Sequence, residues 1–188
     1  MRGTPAERVR FERAVHEVVE PLRRYLARRT DPDTAEDALA ETLLALWRRR
    51  DVWPGEAAEE SLPFAYGVAR RCLANAHRGE RRRERLAARL AVAAPPETVT
   101  TQPADADDEA ALQVRDALDT LRPDDAEVLR LWAWEGLEAR EVAVVLDVSA
   151  NAAGVRLHRA RGRLREALEQ TGKSRPAAGH EQVEGGTP

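Results

Sequence analysis

The chain predicts an all-α protein: two small helical domains joined by a flexible acidic linker, the C-terminal one a helix-turn-helix without a wing. Three observations predict it. Aromatic residues make up only 4% against 43% hydrophobic, so the cores must be Leu, Val and Ala, which favours helix bundles over sheets. Apolar residues recur at steps of three and four along most of the chain. Ala93 to Glu109 breaks that period with Pro, Thr, Ala and acid. The boundaries that follow are a first domain at 6–92, a linker at 93–109, a second domain at 110–170 and a disordered tail at 171–188.

From about Glu7, the residues Phe11, Val15, Val18, Leu22 and Tyr25 keep a helical period that Pro21 interrupts. Proline suits the first turn of a helix and not its middle, which predicts two helices meeting at Glu20-Pro21. Asp31-Pro32 ends the second. In DTAEDALAETLLALWRRR, residues 33–50, Asp33 or Thr34 can cap, with Glu36 or Asp37 completing a capping box. Ala35, Leu39, Leu43, Leu46 and Trp47 form the core stripe. Asp37 and Glu41 share a flank, and Arg48, Arg49 and Arg50 close the last turn. That polarity suits the helix dipole, so these charges fit solvated capping residues as well as they fit a partner surface.

Asp51 to Glu60 reads as a loop. Ser61 then caps a helix with Phe64, Val68 and Leu73 inward. Arg70, Arg71, Arg78, Arg81, Arg82, Arg83, Arg85 and Arg89 follow against only Glu80 and Glu84, with Asn75, His77 and a break at Gly79 among them. A basic run beside amide and ring donors suits a surface that tracks phosphates and reads some bases. The alternative is a solvated arginine-rich helix.

After the linker, Ala110 to Leu121 is a helix with Leu112, Leu118 and Leu121 inward. Pro123-Asp124 starts another, Asp124 capping and Glu127 answering, which runs through Val128, Leu129 and Leu131 to Trp134 and stops at Gly136. A short helix from Glu138 to Val145 buries Val142, Ala143 and Leu146. A connection of three residues, Leu146-Asp147-Val148, leads to the last helix, which Ser149 caps. There Ala153, Leu157, Ala160, Leu164 and Leu168 share one face. Arg156, Arg159 and Arg163 line one edge of it, and His158, Arg161 and Arg165 the other. Two helices joined so tightly, the second basic, read as a helix-turn-helix with a recognition helix for the major groove. Ala143 permits close approach, and Asp147 tolerates a left-handed turn. An ordinary helical hairpin is the alternative.

A net charge of -3 argues against a uniformly basic nucleic-acid binder but permits local basic faces. Lys173 is the only lysine among the 30 basic residues, a bias that weakens the weight of any single arginine. One cysteine, Cys72, precludes an internal disulfide, and four histidines without a Cys/His cluster predict no metal and no cofactor. No apolar run approaches a membrane span and Met-Arg-Gly-Thr-Pro is no signal-peptide start, so a cytoplasmic protein is expected. A Gly-rich phosphate loop, a nucleophile elbow and HExxH are missing, which argues against an enzyme.

Three stretches in order resemble the extracytoplasmic-function sigma factors, a small class of bacterial RNA polymerase specificity subunits. DPDTAEDALAETLLALWRR resembles the family's core-polymerase helix, and PFAYGVARRCLANAHRGERRRERL its minus-ten segment. LDTLRPDDAEVLRLWAWEGLEAREVAVVLDVSANAAGVRLHRARGRL is similar to its minus-thirty-five module. The resemblance implies a sigma region 2 that grips the coiled coil of the largest polymerase subunit and captures the minus-ten strand. It implies a sigma region 4 that binds the flap of the second large subunit and reads the minus-thirty-five element. By position, Asp37, Glu41, Arg48, Arg49 and Arg50 would meet core polymerase. Arg70, Arg71, Asn75, Arg78, Arg81, Arg82 and Arg83 would line the minus-ten site, and Asn151, Val155, Arg156, His158 and Arg159 the minus-thirty-five groove. An anti-sigma factor is a further partner implied by the family.

Four residues depart from the family pattern: Trp132 stands where a basic residue is common, Phe64-Ala65 replaces Trp-Leu, and Gly154 lies within the recognition helix, where it costs helix stability. A free-standing helix-turn-helix regulator, binding duplex DNA as a dimer, is the competing function.

Overall fold

A computed structural model describes residues 4–53, 58–90 and 109–174. Among them there are seven helices and no strand. Helix α1 spans Pro5–Ala27, α2 Pro32–Arg48, α3 Ala58–Leu90, α4 Glu109–Thr120, α5 Pro123–Ala133, α6 Ala139–Leu146 and α7 Ala150–Ser174. The linker residues 93–108 and the tail beyond Ser174 lie outside the described residues.

Helix α1 is one helix, with Pro21 inside it, and not two meeting at Glu20-Pro21. A proline removes one intrahelical hydrogen bond, but Val18, Leu22, Tyr25 and Leu26 are all buried on the face that runs past it. Full burial of one such side chain contributes about 1.5–3 kcal/mol, so the packed face outweighs the break. Thr4 caps α1 in a reciprocal box with Glu7, whose carboxyl is held below its usual range by the Thr4 backbone N–H.

The start of α2 is also displaced from expectation. Asp31, not Asp33 or Thr34, is its N-cap: Pro32 takes the first helical position, where its missing N–H costs nothing, and the Thr34 N–H donates to Asp31 at 2.9 Å. Ala35, Ala38, Leu39, Thr42 and Leu46 are buried. Thr42 donates its hydroxyl to the Ala38 carbonyl at 2.6 Å, which satisfies it inside the core. Ser61 does not cap α3, which begins at Ala58. It is buried in the first turns, and its carbonyl accepts from Trp53 Nε1 at 3.2 Å. Phe11 meets the rings of Trp47 and Trp53 edge to face, at 5.0 and 5.5 Å. Gly79 does not break α3, which continues unbroken to Leu90.

In the second half, Arg122 is the N-cap of α5 without a side-chain cap bond, while Asp124 lies inside the first turn instead of capping it. Pro123 at the first helical position explains the register. Gly136 has φ 69°, the left-handed conformation expected past a helix end, and the Leu137 N–H returns to the Leu131 carbonyl at 3.1 Å. Glu138 and Glu141 form a capping box on α6. Helix α7 runs on to Ser174, beyond the expected end of the domain at residue 170.

Helices α1, α2 and α3 enclose one core, and α4, α5, α6 and α7 another. The two are not held apart. Helix α3 packs on α6, and the buried residues of both halves form one continuous cluster. Their backbones come close at Gly67, where an added Cβ would lie 3.4 Å from the Val145 carbonyl oxygen. Polar contacts complete the seam. Tyr25 donates to Glu127 at 3.2 Å, Arg29 pairs with Glu127 at 3.3 Å and with Glu135 at 2.9 Å, Arg28 pairs with Glu135 at 3.2 Å, and Arg71 with Asp147 at 3.0 Å.

Candidate nucleic-acid interface

The helix-turn-helix forms because its turn is chemically specified. Asp147 ends α6 at φ 56°, a left-handed position open to Asp at modest cost, and the Val148 N–H donates to the Ala143 carbonyl at 3.1 Å. The Ser149 hydroxyl accepts from the Ala152 N–H at 3.2 Å, which fixes the first turn of α7. Ala153, Leu157 and Ala160 are buried against α4, α5 and α6. That burial sets the rotation of α7, so Asn151, Val155, Arg156, His158 and Arg159 are all exposed.

Arg156 and Arg159 open onto a cleft of about 510 Å³, lined also by Arg122, Pro123, Asp124, Asp125 and Arg163. Asp125 is buried and accepts from both Arg122, at 3.2 Å, and Arg163. Among the described residues, no carboxylate pairs with Arg156 or Arg159. The cleft is therefore net positive and beside the exposed face of α7, an arrangement suited to a phosphate. Periodicity placed Arg163 on this edge, but not its partner: Asp125 and Arg122 come from another helix, and only packing reveals the pairing. Arg161, on the opposite edge, lies over the Trp132 ring at 3.9 Å, so the tryptophan at the usually basic position carries an arginine above it.

On α3 the expected basic face is present. Arg71, Asn75, Arg78, Arg81, Arg82 and Arg83 are exposed, and Arg70 is half-buried. Local bonds order part of it: Asn75 accepts from Arg78, Arg81 donates to the His77 carbonyl at 3.2 Å, and His77 lies 3.3 Å from the Thr30 hydroxyl. Arg71 is turned toward Asp147 in the other half.

Asp37, Glu41 and Arg48 on α2, and Arg49 at its C-cap, are exposed, as the pattern predicts. Arg50 is not with them. Its side chain is only 13% exposed, pairs with Glu7 at 3.8 Å, donates to the Trp47 carbonyl at 3.1 Å and lies over the Trp47 ring.

The residues that sequence reasoning missed lie between the halves. Arg29 stacks on Tyr25 at 3.7 Å and is buried. Burial opposes its charge, but Tyr25, Glu127 and Glu135 outweigh that and raise its pKa. The Tyr25 hydroxyl is driven well above the usual phenol range, first by burial and then by Glu127. Tyr66, whose ring centroid is 4.9 Å from that of Tyr25, is pushed up to about 12, again first by burial. The described residues contain no group of His, Cys, Asp and Glu that could hold a metal, and no helix long and apolar enough to cross a membrane.

Comparison with known proteins agrees with this geometry. Residues 111–164 match the sigma-70 region 4 family, a segment that covers α4 to most of α7. The RNA polymerase sigma factor CarQ of Myxococcus xanthus is 31% identical over 134 residues, 71% of this chain and 74% of CarQ. The sigma factor RpoE of Bartonella quintana, solved in complex with the anti-sigma factor NepR, superposes with a TM-score of 0.58 at 22% identity. That match covers 85% of this chain and 96% of RpoE, and shows a common fold. With a relative of that identity and coverage, a matched region 4 and this helical architecture, the chain belongs to the RNA polymerase sigma factors of the extracytoplasmic-function class.

Proposed function

We propose that this sigma subunit works through three surfaces and has no catalytic activity of its own. Residues 6–92 act as region 2: Asp37, Glu41, Arg48 and Arg49 meet core polymerase, and Arg70, Arg71, Asn75, Arg78, Arg81, Arg82 and Arg83 hold the melted minus-ten strand. Arginines grip its phosphates while the amide reads an unstacked base. Residues 110–170 act as region 4, with Asn151, Val155, Arg156, His158 and Arg159 in the minus-thirty-five major groove. An anti-sigma factor covers these surfaces when the protein is silent, and the protein works in the cytoplasm.

The observation that carries this reading is the joint exposure of Asn151, Val155, Arg156, His158 and Arg159 on a capped α7 that buries Ala153, Leu157 and Ala160 on its other side. Each of the two DNA-binding surfaces alone binds weakly, and carrying both on one polymerase raises their effective concentration at a promoter. The test is reconstitution with purified bacterial core polymerase, sequencing of the DNA that co-purifies, and transcription from a promoter so defined. Initiation that depends on the chain is expected. Tight binding to a palindromic duplex without polymerase would overturn the assignment in favour of a free-standing dimeric regulator.

A further inference from the structure

Gly154 stands in the recognition helix for no reason that the fold supplies. Its φ is not left-handed, since among the described residues only Asp147 and Gly136 have a positive φ. A Cβ built there meets nothing within 4 Å outside the helix's own nearby backbone, whereas one built at Gly67 meets the backbone of α6. Alanine would therefore fit. A glycine inside a helix shifts the equilibrium toward the unfolded chain by roughly fivefold relative to alanine, so the fold bears a loss that it does not need.

Its place in the helix says what could need it. Gly154 lies one turn from Asn151 on one side and one turn from His158 on the other, so it heads the edge of α7 that runs on through His158, Arg161 and Arg165. Asn151, Val155 and His158 are exposed around it, and Arg161 is stacked over Trp132. On the opposite edge Arg156 and Arg159 open onto the positive cleft. Gly154 is thus the one position on its edge without a side chain, and it sits near the helix N-terminus, where a recognition helix meets base edges. A helix with its side chains is about 10–12 Å across and the major groove about 12 Å wide, so a side chain on that edge and the groove wall compete for the same space. With no Cβ at 154, the wall can lie directly against the α7 backbone while arginines hold the other edge.

We propose that Gly154 is a specificity-determining residue: it forms a notch in the edge of α7 that seats the sugar-phosphate backbone of one strand of the minus-thirty-five element, and so lets Asn151, Val155 and His158 reach the base edges. This rests on the minus-thirty-five reading above. A side chain at 154 would hold α7 away from the groove floor. The short side chains of Asn151 and Val155 would lose their contacts first, whereas the long arginines would still reach phosphates. The loss therefore falls on base discrimination and leaves sequence-independent affinity in place.

The test uses the full chain assembled with core polymerase, on the promoter defined by co-purifying DNA, and compares Gly154→Ala, Gly154→Leu and Gly162→Ala. Gly162 is the internal control. It lies on the same helix, half-buried, with nothing within 4 Å of an added Cβ, and about 12 Å further along the axis, past the base-reading turns. In urea unfolding of the free chain both alanine variants should gain stability, each by roughly fivefold in the folding equilibrium. Promoter affinity of the holoenzyme should fall about fivefold or more with Gly154→Ala and further with Gly154→Leu, and should stay within about twofold with Gly162→Ala. Affinity for a promoter whose minus-thirty-five element is scrambled should be unchanged in all three, so the preference for the intact element falls only in the Gly154 variants. A Gly154→Ala chain that binds and discriminates like the unaltered one would overturn the notch, as would equal losses from the two alanine variants. A destabilised Gly154→Ala would overturn it too, because the fold and not the DNA would then require the glycine. If the unaltered chain directs polymerase to no promoter, the functional reading itself fails and the notch falls with it, an outcome distinct from a promoter-competent chain that is indifferent to residue 154.

Discussion

Gly67 lies against Val145 where α3 crosses α6: a methyl group at Gly67 would sit 3.4 Å from the Val145 carbonyl oxygen and 3.5 Å from its Cα. These are ordinary contact distances, so alanine fits, but the atoms it meets are backbone and cannot swing away. Gly67→Ala should be neutral or stabilise by up to about 1 kcal/mol through helix propensity. Gly67→Leu should cost about 1–3 kcal/mol by overpacking. Urea denaturation of the two variants checks the contrast, and equal effects would mean that the halves do not meet there.

Arg156 and Arg159 are exposed, with no carboxylate partner among the described residues, whereas Arg163 is tied to the buried Asp125. Arg159→Ala should therefore cost about 1–3 kcal/mol in affinity for a minus-thirty-five duplex, with stability unchanged within about 0.5 kcal/mol. Asp125→Ala should do the reverse, and lower stability by about 1–3 kcal/mol because two arginines lose their acceptor. Fluorescence anisotropy on labelled duplex, paired with thermal unfolding, separates the two effects.

A similar division runs through the α2 surface. Asp37→Arg with Glu41→Arg changes only exposed side chains and should weaken core-polymerase affinity by about tenfold while the fold is kept. Arg50→Ala should instead cost about 1 kcal/mol of stability, since its guanidinium is spent on Trp47 and Glu7. Unchanged polymerase affinity in the first variant would return those carboxylates to a capping role.

The Asp31 cap gives a pH dependence of known sign. Bonds from the Thr34 backbone N–H hold the Asp31 carboxyl below its usual range in the folded chain. A depressed folded pKa stabilises above the unfolded value, near pH 4, and that stability is lost as pH falls through the folded value. Asp31→Ala should cost about 1 kcal/mol at neutral pH, and the gap to the unaltered chain should narrow below about pH 4. A gap independent of pH in urea titrations would contradict a charged cap.

The helical class, the helix-turn-helix and the exposed face of α7 were legible because they follow from local chemistry. Ser149 caps where a hydroxyl precedes an apolar period, and Asp147 turns where few residues can. Helix boundaries set by proline were less so. Pro32 and Pro123 each moved a start to the preceding residue, and Pro21 failed to break α1, because what tolerates it is the buried face of Val18, Leu22 and Tyr25. Arg50 looked like its neighbours Arg48 and Arg49, and only the position of Trp47 and Glu7 drew it inward.

The sequence by itself determined which residues form helices and which faces of those helices are apolar or basic, since periodicity, caps and turn residues act within a few positions of one another. Only the tertiary structure decided that Arg29 meets Glu127 and Glu135, that Asp125 holds Arg163, and that α3 closes on α6 at Gly67. Those contacts join residues from separate helices, in most cases far apart in the chain, through burial and charge. Such partners are chosen by the packing of whole helices, a property that no local pattern contains.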